Sequence, residues 1–594
     1  MYRFAATPPG PFAEKTVRSE HLRERLHLAR SLLFQAALTV LLLIVTLRLW
    51  RTDIRVPMYY WGDTLPQLAI AKSIADGGWI WFIDRLGAPF GFVMAAYPQN
   101  LTTTSIVLKG LSFLSKEPGL LLNVYWLSTI VAASVNAHLA LRVLGYGRSS
   151  AIVFATLYAF LPYAFYRNVA HVSLVFMFVP VLAAYAVQIA ANTAGSLRSR
   201  WGMYVVICAI AQAFDYIYYT FFAAFVFIVA GVLAWSYHGS ARRARIAFAL
   251  CMVLVISAMI NLTPSILAWS RDGKPPNDFD KTAAQAEIYG LKLRQLLSPV
   301  QPSRLESLRA FGEKERQFPN ENENRSTRLG IVLSIGFVAM LAQLLFSPRL
   351  AAQARASGAL TLACVLLATV GGFGAIFNLL VTPDIRAYNR IVVFIAFFTI
   401  VYLAHVADRW MARIDNGERM RWPSGAAGFA MAFVLILGVL DEGQAARPIV
   451  GRYAVDAQTF HAERSFVREI ERRYPNGGAV MQLPETVFTP DDGRVKMQAY
   501  DHARAYLASD KLSWSWPSYS SRRHTWYESL GNPADSGFLD RLLASGFVGV
   551  WIDRFGYEPA DLATLEHALT ARLGSPLVGG PQQRYAYFDL PRKK

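Results

Sequence analysis

The sequence predicts a polytopic α-helical membrane protein. Of its 594 residues, 54% are hydrophobic and only 17% are charged, and the mean hydropathy is +0.29. A soluble chain of this length would need a more polar surface. Because a helix needs about 20 apolar residues to cross a bilayer core, we predict eleven transmembrane helices. They lie at 31–50, 119–142, 150–165, 172–191, 202–214, 216–236, 247–267, 328–347, 357–380, 391–408 and 425–441.

The basic residues orient these helices. A net charge of +18 could indicate nucleic-acid binding, but the chain has no basic and aromatic module of that kind, so no nucleic-acid partner is expected. With the N-terminus in the cytoplasm, the short cytoplasmic loops are basic, as the positive-inside rule requires. Making 101–115 a further span would place Arg242, Arg243 and Arg245 outside. We therefore interpret 101–115 as a helix on the outer surface.

This topology divides the chain into three parts. They are a cytoplasmic segment, 1–30, a transmembrane module, 31–441, and a C-terminal domain on the outer side, 442–594. Two long loops of the module, 51–118 and 268–327, also lie outside. The C-terminal part is more polar and has β-rich runs between helical patterns, which is typical of a small α/β domain. All three cysteines lie in apolar stretches, so neither a disulfide framework nor a zinc site is predicted.

Asp63 ends an aromatic run, 59–63, in the first outer loop, about a dozen residues after the first predicted span. A carboxylate at the membrane edge can act as a general base that deprotonates an attacking hydroxyl or amine. The alternative is an N-cap, since Asp63 precedes a potential helix over 64–76. The two roles are compatible. Competing acids in the same loop are Asp53, Asp76 and Asp84.

Two arginines break the positive-inside rule. Arg386 and Arg390 lie outside, at the entrance of a predicted span, and an anionic lipid phosphate is the simplest reason for cations there. A salt bridge to Asp384 is the alternative. Arg167 and His171, spaced i,i+4 at the outer end of two spans, could hold a phosphate on one helical face. They could equally extend to the membrane interface, as long side chains do.

Asp215 and Tyr219 lie at an outer hairpin tip between two predicted spans. An ionisable group so near the hydrocarbon is a functional candidate, and we place both side chains in the predicted substrate site. The alternative is an interface anchor, because tyrosine-rich belts are ordinary there.

The loop 268–327 contains a segment, 287–299, with apolar residues that leave Lys292 and Arg294 on other faces. We predict a surface helix that could close over a lipid substrate, with Glu287, Lys292 and Arg294 at the site. The polar stretch that follows, 321–325, predicts a solvated linker.

A set of short motifs extends over most of the chain: Gly62-Asp63-Thr64-Leu65, Gly87-Ala88-Pro89-Phe90-Gly91, Leu161-Pro162-Tyr163 running to His171, Glu287 to Pro299, Ile385 to Arg390, Tyr500-Asp501-His502 and Leu512-Ser513-Trp514-Ser515. With these motifs the chain resembles the GT-C superfamily of integral-membrane glycosyltransferases, in a bacterial and largely uncharacterised branch. The resemblance implies that Asp63 is the essential acid of the first outer loop. It also implies a sugar donor on a polyprenyl phosphate carrier and a later outer loop that covers the site.

The same resemblance bears on the metal. Many members hold a divalent ion with two neighbouring acids, but Gly62 and Leu65 stand here where a second acid would be. The resemblance therefore allows Mg or Mn as a cofactor without requiring either.

From these observations we predict a glycosyltransferase of the bacterial inner membrane that acts on the periplasmic side. It would move a sugar from a polyprenyl-phosphate donor to an envelope glycolipid or polysaccharide, with inversion implied by the family. Asp63 would take the proton, the arginines would hold the phosphate, and the C-terminal domain would bind or orient the acceptor. The alternatives are a flippase or transporter of lipid-linked saccharides, a ligase or polymerase of them, and a scaffold. Transport would need polar residues along a path through the bilayer, and the predicted spans are nearly free of them.

Overall fold

The protein is a bundle of apolar helices followed by a small sheet domain. The computed structural model describes residues 11–97, 100–274, 281–347, 350–415, 425–488, 494–517 and 521–591. Within these ranges, eight segments are long and apolar enough to cross a membrane, so the chain is a multi-pass membrane protein. They are Arg23–Thr46, Pro118–Val143, Arg148–Arg167, Val169–Ala190, Ile217–His238, Ala241–Asp272, Tyr388–Ile414 and Ala426–Glu471.

Every predicted span falls on one or more helices. The α-helices of the described residues are Pro11–Thr46, Thr64–Ala75, Thr102–Leu111, Pro118–Val143, Arg148–Ala159, Pro162–Arg167, Val179–Ala190, Arg200–Ala213, Ile217–His238, Ala241–Asp272, Gln285–Ile288, Leu293–Leu297, Glu306–Glu315, Ile331–Phe346, Ala352–Ala368, Phe373–Leu380, Val392–Asp415, Ala426–Glu442, Arg447–Glu471, Ala503–Ala508, Ser521–Leu530, Ser536–Ala544 and Pro559–Leu573. The number of spans, eleven, stays a prediction.

The predicted span 357–380 is divided. The apolar stretch 357–380 forms two helices, Ala352–Ala368 and Phe373–Leu380, with a turn between them. Gly371 in that turn has a φ of +74°, a left-handed conformation that favours glycine. Hydrophobicity alone could not show this break, because both helices are apolar.

Polar side chains do occur inside the bundle, contrary to the prediction that the spans are nearly free of them. Gln35 donates to Ser134 at 2.6 Å and to Thr156 at 2.9 Å, which joins three spans. His138 lies 2.9 Å from Ser31 and 3.2 Å from Gln35. All five side chains are buried and pair with one another, which is how polar groups stabilise helix contacts in lipid.

The segment predicted to lie on the surface forms the helix Thr102–Leu111. At 1.5 Å per residue its 10 residues cover only about 15 Å, about half of a bilayer core. One face is buried at Thr104 and Leu108, whereas Ile106 and Val107 are exposed, as expected for a helix lying on a membrane.

The C-terminal domain contains a five-stranded sheet within the described residues, in the order β2-β1-β3-β5-β4. Strand β1 pairs in parallel with β2 and β3, and β5 is antiparallel to β3 and β4, so the α/β prediction is confirmed. The strands are β1 Gly478–Leu483, β2 Leu512–Trp514, β3 Phe547–Asp553, β4 Leu577–Gly579 and β5 Tyr585–Asp589.

The first loop is attached to this sheet. Its segment 85–88 lies beside β2, and the Ala88 amide donates to the Trp514 carbonyl at 2.9 Å while the Trp514 amide donates to the Arg85 carbonyl at 2.9 Å. Nearby, a Cβ on Gly91 would lie 2.1 Å from the Phe82 ring, so only glycine fits there. Two motifs that are far apart in the sequence therefore pair in space, and the sheet domain and the first loop pack as one unit.

Candidate active site

Asp63 stands at the N-terminal end of the helix Thr64–Ala75, but its side chain makes no capping hydrogen bond there. Instead, its Oδ2 lies 3.1 Å from Nε2 of His171. The Asp63 side chain is 52% exposed. The capping alternative is therefore wrong for the carboxylate, which faces another element and solvent.

The hydrogen bonds of His171 define its protons. Its Nδ1 lies 3.2 Å from the carbonyl oxygen of Arg167, which can only accept, so Nδ1 carries a proton. Burial raises the pKa of Asp63, but the hydrogen bond and charge of His171 and the charge of Arg167 outweigh it, and the net pKa is lowered. The Asp63 carboxylate is therefore held by His171 and lies in the positive field of Arg167.

A second acid gathers the basic residues. Glu323 Oε2 accepts from Arg167 Nη1 at 2.9 Å and from Arg390 Nη2 at 3.1 Å, and Oε1 accepts from Asn389 at 3.3 Å. We call these four residues the Glu323 cluster. Burial raises the pKa of Glu323, but the charges of Arg390 and Arg167 hold it well below its usual value. The prediction of a solvated linker over 321–325 is wrong, because Glu323 is paired with two buried arginines and the Glu321 side chain is itself buried in ion pairs.

Arg386 and Arg390, the two exceptions to the positive-inside rule, each stack on a tyrosine ring. Arg390 stacks 4.5 Å from the centre of the Tyr218 ring, and its acidic partner is Glu323. Arg386 donates to Gln285 at 2.9 Å and stacks 4.9 Å from the Tyr289 ring. Asp384 accepts from Thr382 at 2.8 Å, and no ion pair joins it to either arginine within the described part of the chain.

A cavity of about 430 Å³ adjoins the Glu323 cluster. This volume lies in the range of small-molecule sites. Its lining is rich in arginine and glutamate: Tyr166, Arg167, Gln301, Pro302, Gly312, Glu315, Arg316, Glu321, Asn322, Glu323, Arg325, Ser326, Arg328 and Pro448. Arg167 therefore lines the cavity and also contacts His171, the partner of Asp63.

The three loop residues predicted at the site hold the loop itself. The Glu287 carboxylate accepts from the Gly371 amide at 3.0 Å. Lys292 donates to the Pro319 carbonyl at 3.3 Å, and Arg294 pairs with Glu321. The single surface helix predicted over 287–299 is instead two short helices.

The helices are Gln285–Ile288 and Leu293–Leu297, separated by an extended stretch at Leu291. The Leu291 amide donates to the Ala368 carbonyl at 2.8 Å. Pairing with a neighbouring element thus replaced helical hydrogen bonds, which the apolar spacing could not predict.

Asp215 and Tyr219 are buried, and they form hydrogen bonds with neither Asp63 nor the Glu323 cluster among the described residues. Asp215 accepts from Thr104 Oγ1 at 2.9 Å, which ties the surface helix to the bundle. Tyr219 donates to the Tyr163 hydroxyl and to the Leu174 carbonyl, both at 3.0 Å. Both side chains have structural partners, and their predicted role at the substrate site remains a prediction.

The residues around Asp63 do not fit a divalent metal. No group of three or more His, Cys, Asp or Glu side chains suited to an ion occurs among the residues that the structure describes. Asp63 has His171 on one oxygen, and Glu323 is enclosed by two arginines. Mg and Mn prefer several oxygen ligands, and this donor set is cationic instead.

Sequence reasoning missed Glu323, Arg325 and Arg328. The only local signal was the acid-rich stretch 321–325, which lies in a loop that also contains arginines. Its polar composition is shared by solvated loops, so a contact prediction would have been needed to identify it.

No protein-family model matches the chain, and no curated protein matches it. Among solved structures it is similar to ArnT from Cupriavidus metallidurans in the apo state, with 12% identity and a TM-score of 0.52, over 94% of this chain and 97% of ArnT. Arabinofuranosyltransferase AftD from Mycobacteria gives 13% identity, a TM-score of 0.47 and 94% and 41% of the two chains. The oligosaccharyltransferase AglB from Archaeoglobus fulgidus gives 12%, 0.45, 95% and 74%. Because the likeness to ArnT extends over nearly all of both chains, the protein has the same fold as ArnT.

Proposed function

We propose that the protein transfers a sugar from a polyprenyl-phosphate donor to an envelope glycolipid or polysaccharide, on the periplasmic side of a bacterial inner membrane. One observation carries the proposal: a half-exposed carboxylate, Asp63, is paired with His171, which contacts the main chain of Arg167, and Arg167 lines a cavity of about 430 Å³. A base and a phosphate site are the two parts that glycosyl transfer needs.

Asp63 is the base. Its Oδ2 is held by His171, and no hydrogen bond to Oδ1 occurs within the residues that the structure describes. Oδ1 would accept the proton of the acceptor hydroxyl as the acceptor oxygen attacks the anomeric carbon. The bond from that carbon to the phosphate oxygen breaks, and the phosphate leaves with the electron pair. The lowered pKa keeps Asp63 ionised at neutral pH.

The arginines hold the donor phosphate. Arg167, Arg325 and Arg328 line the cavity, and their guanidinium groups match phosphate oxygens in geometry. Negative charge grows on the phosphate as the bond breaks, so fixed cations favour the transition state. Arg390 is buried against Glu323 and Tyr218 and would act by holding Glu323. Arg386 would support the loop 268–327 through Gln285 and Tyr289.

The flippase or transporter is the weaker alternative. The polar groups inside the bundle pair with each other across three spans, which supports helix packing rather than a path. A ligase or polymerase of lipid-linked saccharides would use the same base and arginines, and the product distinguishes it.

Mass spectrometry of envelope glycans tests the proposal. Cells lacking the protein would be compared with cells that carry wild-type, Asp63→Asn or Asp53→Asn protein. Asp53 is a matched control, since it is an exposed acid of the same loop that accepts only a local amide bond at 2.9 Å.

We expect one sugar substituent to be lost in the null strain and in Asp63→Asn, and to be restored by Asp53→Asn. Loss of a polymer or of a ligated chain would assign the protein to the ligase or polymerase class. Restoration of the substituent by Asp63→Asn would overturn the proposed base.

A further inference from the structure

The C-terminal domain forms hydrogen bonds with the main chain of Tyr60, three residues before Asp63. Tyr60 is 1% exposed, although its neighbours Tyr59 and Trp61 are partly exposed. The Tyr60 amide donates to Asp456 Oδ2 at 3.0 Å, and its carbonyl accepts from Arg504 Nη2 at 3.1 Å.

Its hydroxyl donates to Glu463 Oε2 at 2.8 Å. We call Tyr60, Asp456, Glu463 and Arg504 the Tyr60 clamp. Every polar group of Tyr60 is thus bonded to the C-terminal domain.

The charges of the clamp are compensated within the domain. Arg504 Nε donates to Asp501 at 2.8 Å, and Asp501 in turn accepts from Arg584 at 2.7 Å. Glu463 accepts from the Tyr585 hydroxyl at 2.8 Å. A buried network in which each member is satisfied rigidifies its surroundings, so the clamp holds Tyr60 in one position.

The connection from Tyr60 to Asp63 is short and ordered. The Thr64 amide donates to the Trp61 carbonyl at 3.2 Å, and the Leu65 amide donates to the Gly62 carbonyl at 3.0 Å. Gly62 has a φ of +54°, so the chain turns sharply there. A displacement of Tyr60 would therefore move Asp63 with it.

We infer that the C-terminal domain positions the catalytic acid, with Asp456 and Arg504 as positioning residues that act through the main chain of Tyr60. The inference rests on the proposed role of Asp63. His171 belongs to the helix bundle, whereas Tyr60 is held by the sheet domain, so the 3.1 Å contact between Asp63 and His171 joins two parts of the molecule. A misplacement of about 1 Å can lower a catalytic rate on the order of 100-fold.

The experiment compares four variants of the full-length protein in detergent. Asp456→Ala removes the acceptor of the Tyr60 amide, and Asp456→Asn keeps an oxygen there. Tyr60→Phe removes only the hydroxyl bond. Glu566→Ala is the matched control, since it removes a two-bond pair with Arg554, at 2.7 and 3.1 Å, elsewhere in the same domain.

Two readouts are measured on each variant. Hydrogen–deuterium exchange of the peptide 58–66 reports the clamp without any substrate. Transfer rates are measured with labelled pentose and hexose polyprenyl phosphates and with extracted envelope lipid as acceptor. For Asp456→Ala we expect faster exchange at Tyr60 to Leu65 and a kcat lower by roughly 10- to 100-fold at an unchanged donor KM. Glu566→Ala should stay near wild type in both readouts, whereas Asp456→Asn and Tyr60→Phe, which each keep part of the clamp, should change both readouts less than Asp456→Ala does.

Each other outcome is informative. Unchanged exchange in Asp456→Ala would disprove the clamp, and faster exchange with a normal kcat would disprove the positioning role. A loss of kcat in Glu566→Ala equal to that in Asp456→Ala would show general destabilisation of the domain instead. Absence of transfer by the wild-type protein with every donor would refute the proposed function, while the exchange result would still decide the clamp.

Discussion

The Glu323 cluster and the Tyr60 clamp are two buried ionic networks that differ in what surrounds them. Each centres on carboxylates bonded to arginine, and each lies next to the first loop. The Glu323 cluster borders a cavity of about 430 Å³ and is linked to a half-exposed acid, whereas each of the four clamp residues is at most 3% exposed. The difference separates groups that could exchange a protein partner for a substrate from groups that can only hold the chain in place.

The largest effect is expected on kcat, at the half-exposed Asp63. Asp63→Asn should lower kcat by about 10²- to 10⁴-fold, because an amide cannot accept the acceptor proton. The measurement is the single-turnover transfer rate with purified protein.

Thermal unfolding should change little, since Asp63 is half exposed and such exposed pairs contribute only about 0–1 kcal/mol. A rate within a factor of three of wild type would remove Asp63 from the chemistry. Asp53→Asn again serves as the control.

The second effect concerns stability. Glu323→Gln leaves Arg167 and Arg390 without their shared carboxylate, and breaking a buried pair by removing one partner destabilises by about 3–5 kcal/mol. Thermal unfolding in detergent measures it.

Glu313→Gln is the control, because Glu313 forms an exposed pair with Arg316. Equal unfolding temperatures for both variants would mean that the Glu323 cluster does not stabilise the fold.

The same acid predicts how stability depends on pH. The pKa of Glu323 is well below its usual value because the charges of Arg390 and Arg167 outweigh its burial. A depressed pKa in the folded state gives stability that is present above the unfolded pKa and is lost as pH falls through the folded pKa. Wild type should therefore lose more stability on acidification than Glu323→Gln does, and parallel curves for the two proteins would contradict this.

The third effect separates two arginines of one cluster. Arg167 lines the cavity, so Arg167→Lys should raise the donor KM roughly tenfold by losing a two-pronged phosphate contact. Arg390 is enclosed by Glu323 and Tyr218, so Arg390→Lys should lower the unfolding temperature and leave the donor KM nearly unchanged. Donor titrations measure the KM of both variants. An equal rise in KM would place Arg390 at the phosphate, as its sequence position first suggested.

These contrasts also show what the sequence could predict. The multi-pass helical fold follows from apolar length, and the candidates Asp63, Arg167 and His171 follow from charged side chains near the outer ends of predicted spans. Glu323 was interpreted as part of a solvated linker, because a polar run has the same composition whether water or a buried arginine completes its hydrogen bonds.

Tyr60 shows the same limit of sequence-based prediction, here for a partner that is distant in the sequence. It stands in an aromatic run typical of a membrane interface, yet the carboxylate that binds its amide is 396 residues away. Only the fold brings such partners together, and no periodicity of the chain records it.

The smallest effect returns to the link between Asp63 and the cluster. The hydrogen bond and charge of His171 lower the pKa of Asp63 against the effect of its burial. His171→Gln removes the charge, so the pKa of Asp63 should rise and the acidic limb of the pH–rate profile should move to higher pH. At alkaline pH the rate should stay close to wild type, because Asp63 is ionised in both proteins. His567→Gln, an exposed substitution in the C-terminal domain, should leave the profile unchanged. A limb that moves to lower pH would mean that His171, rather than Asp63, carries the proton that limits the rate.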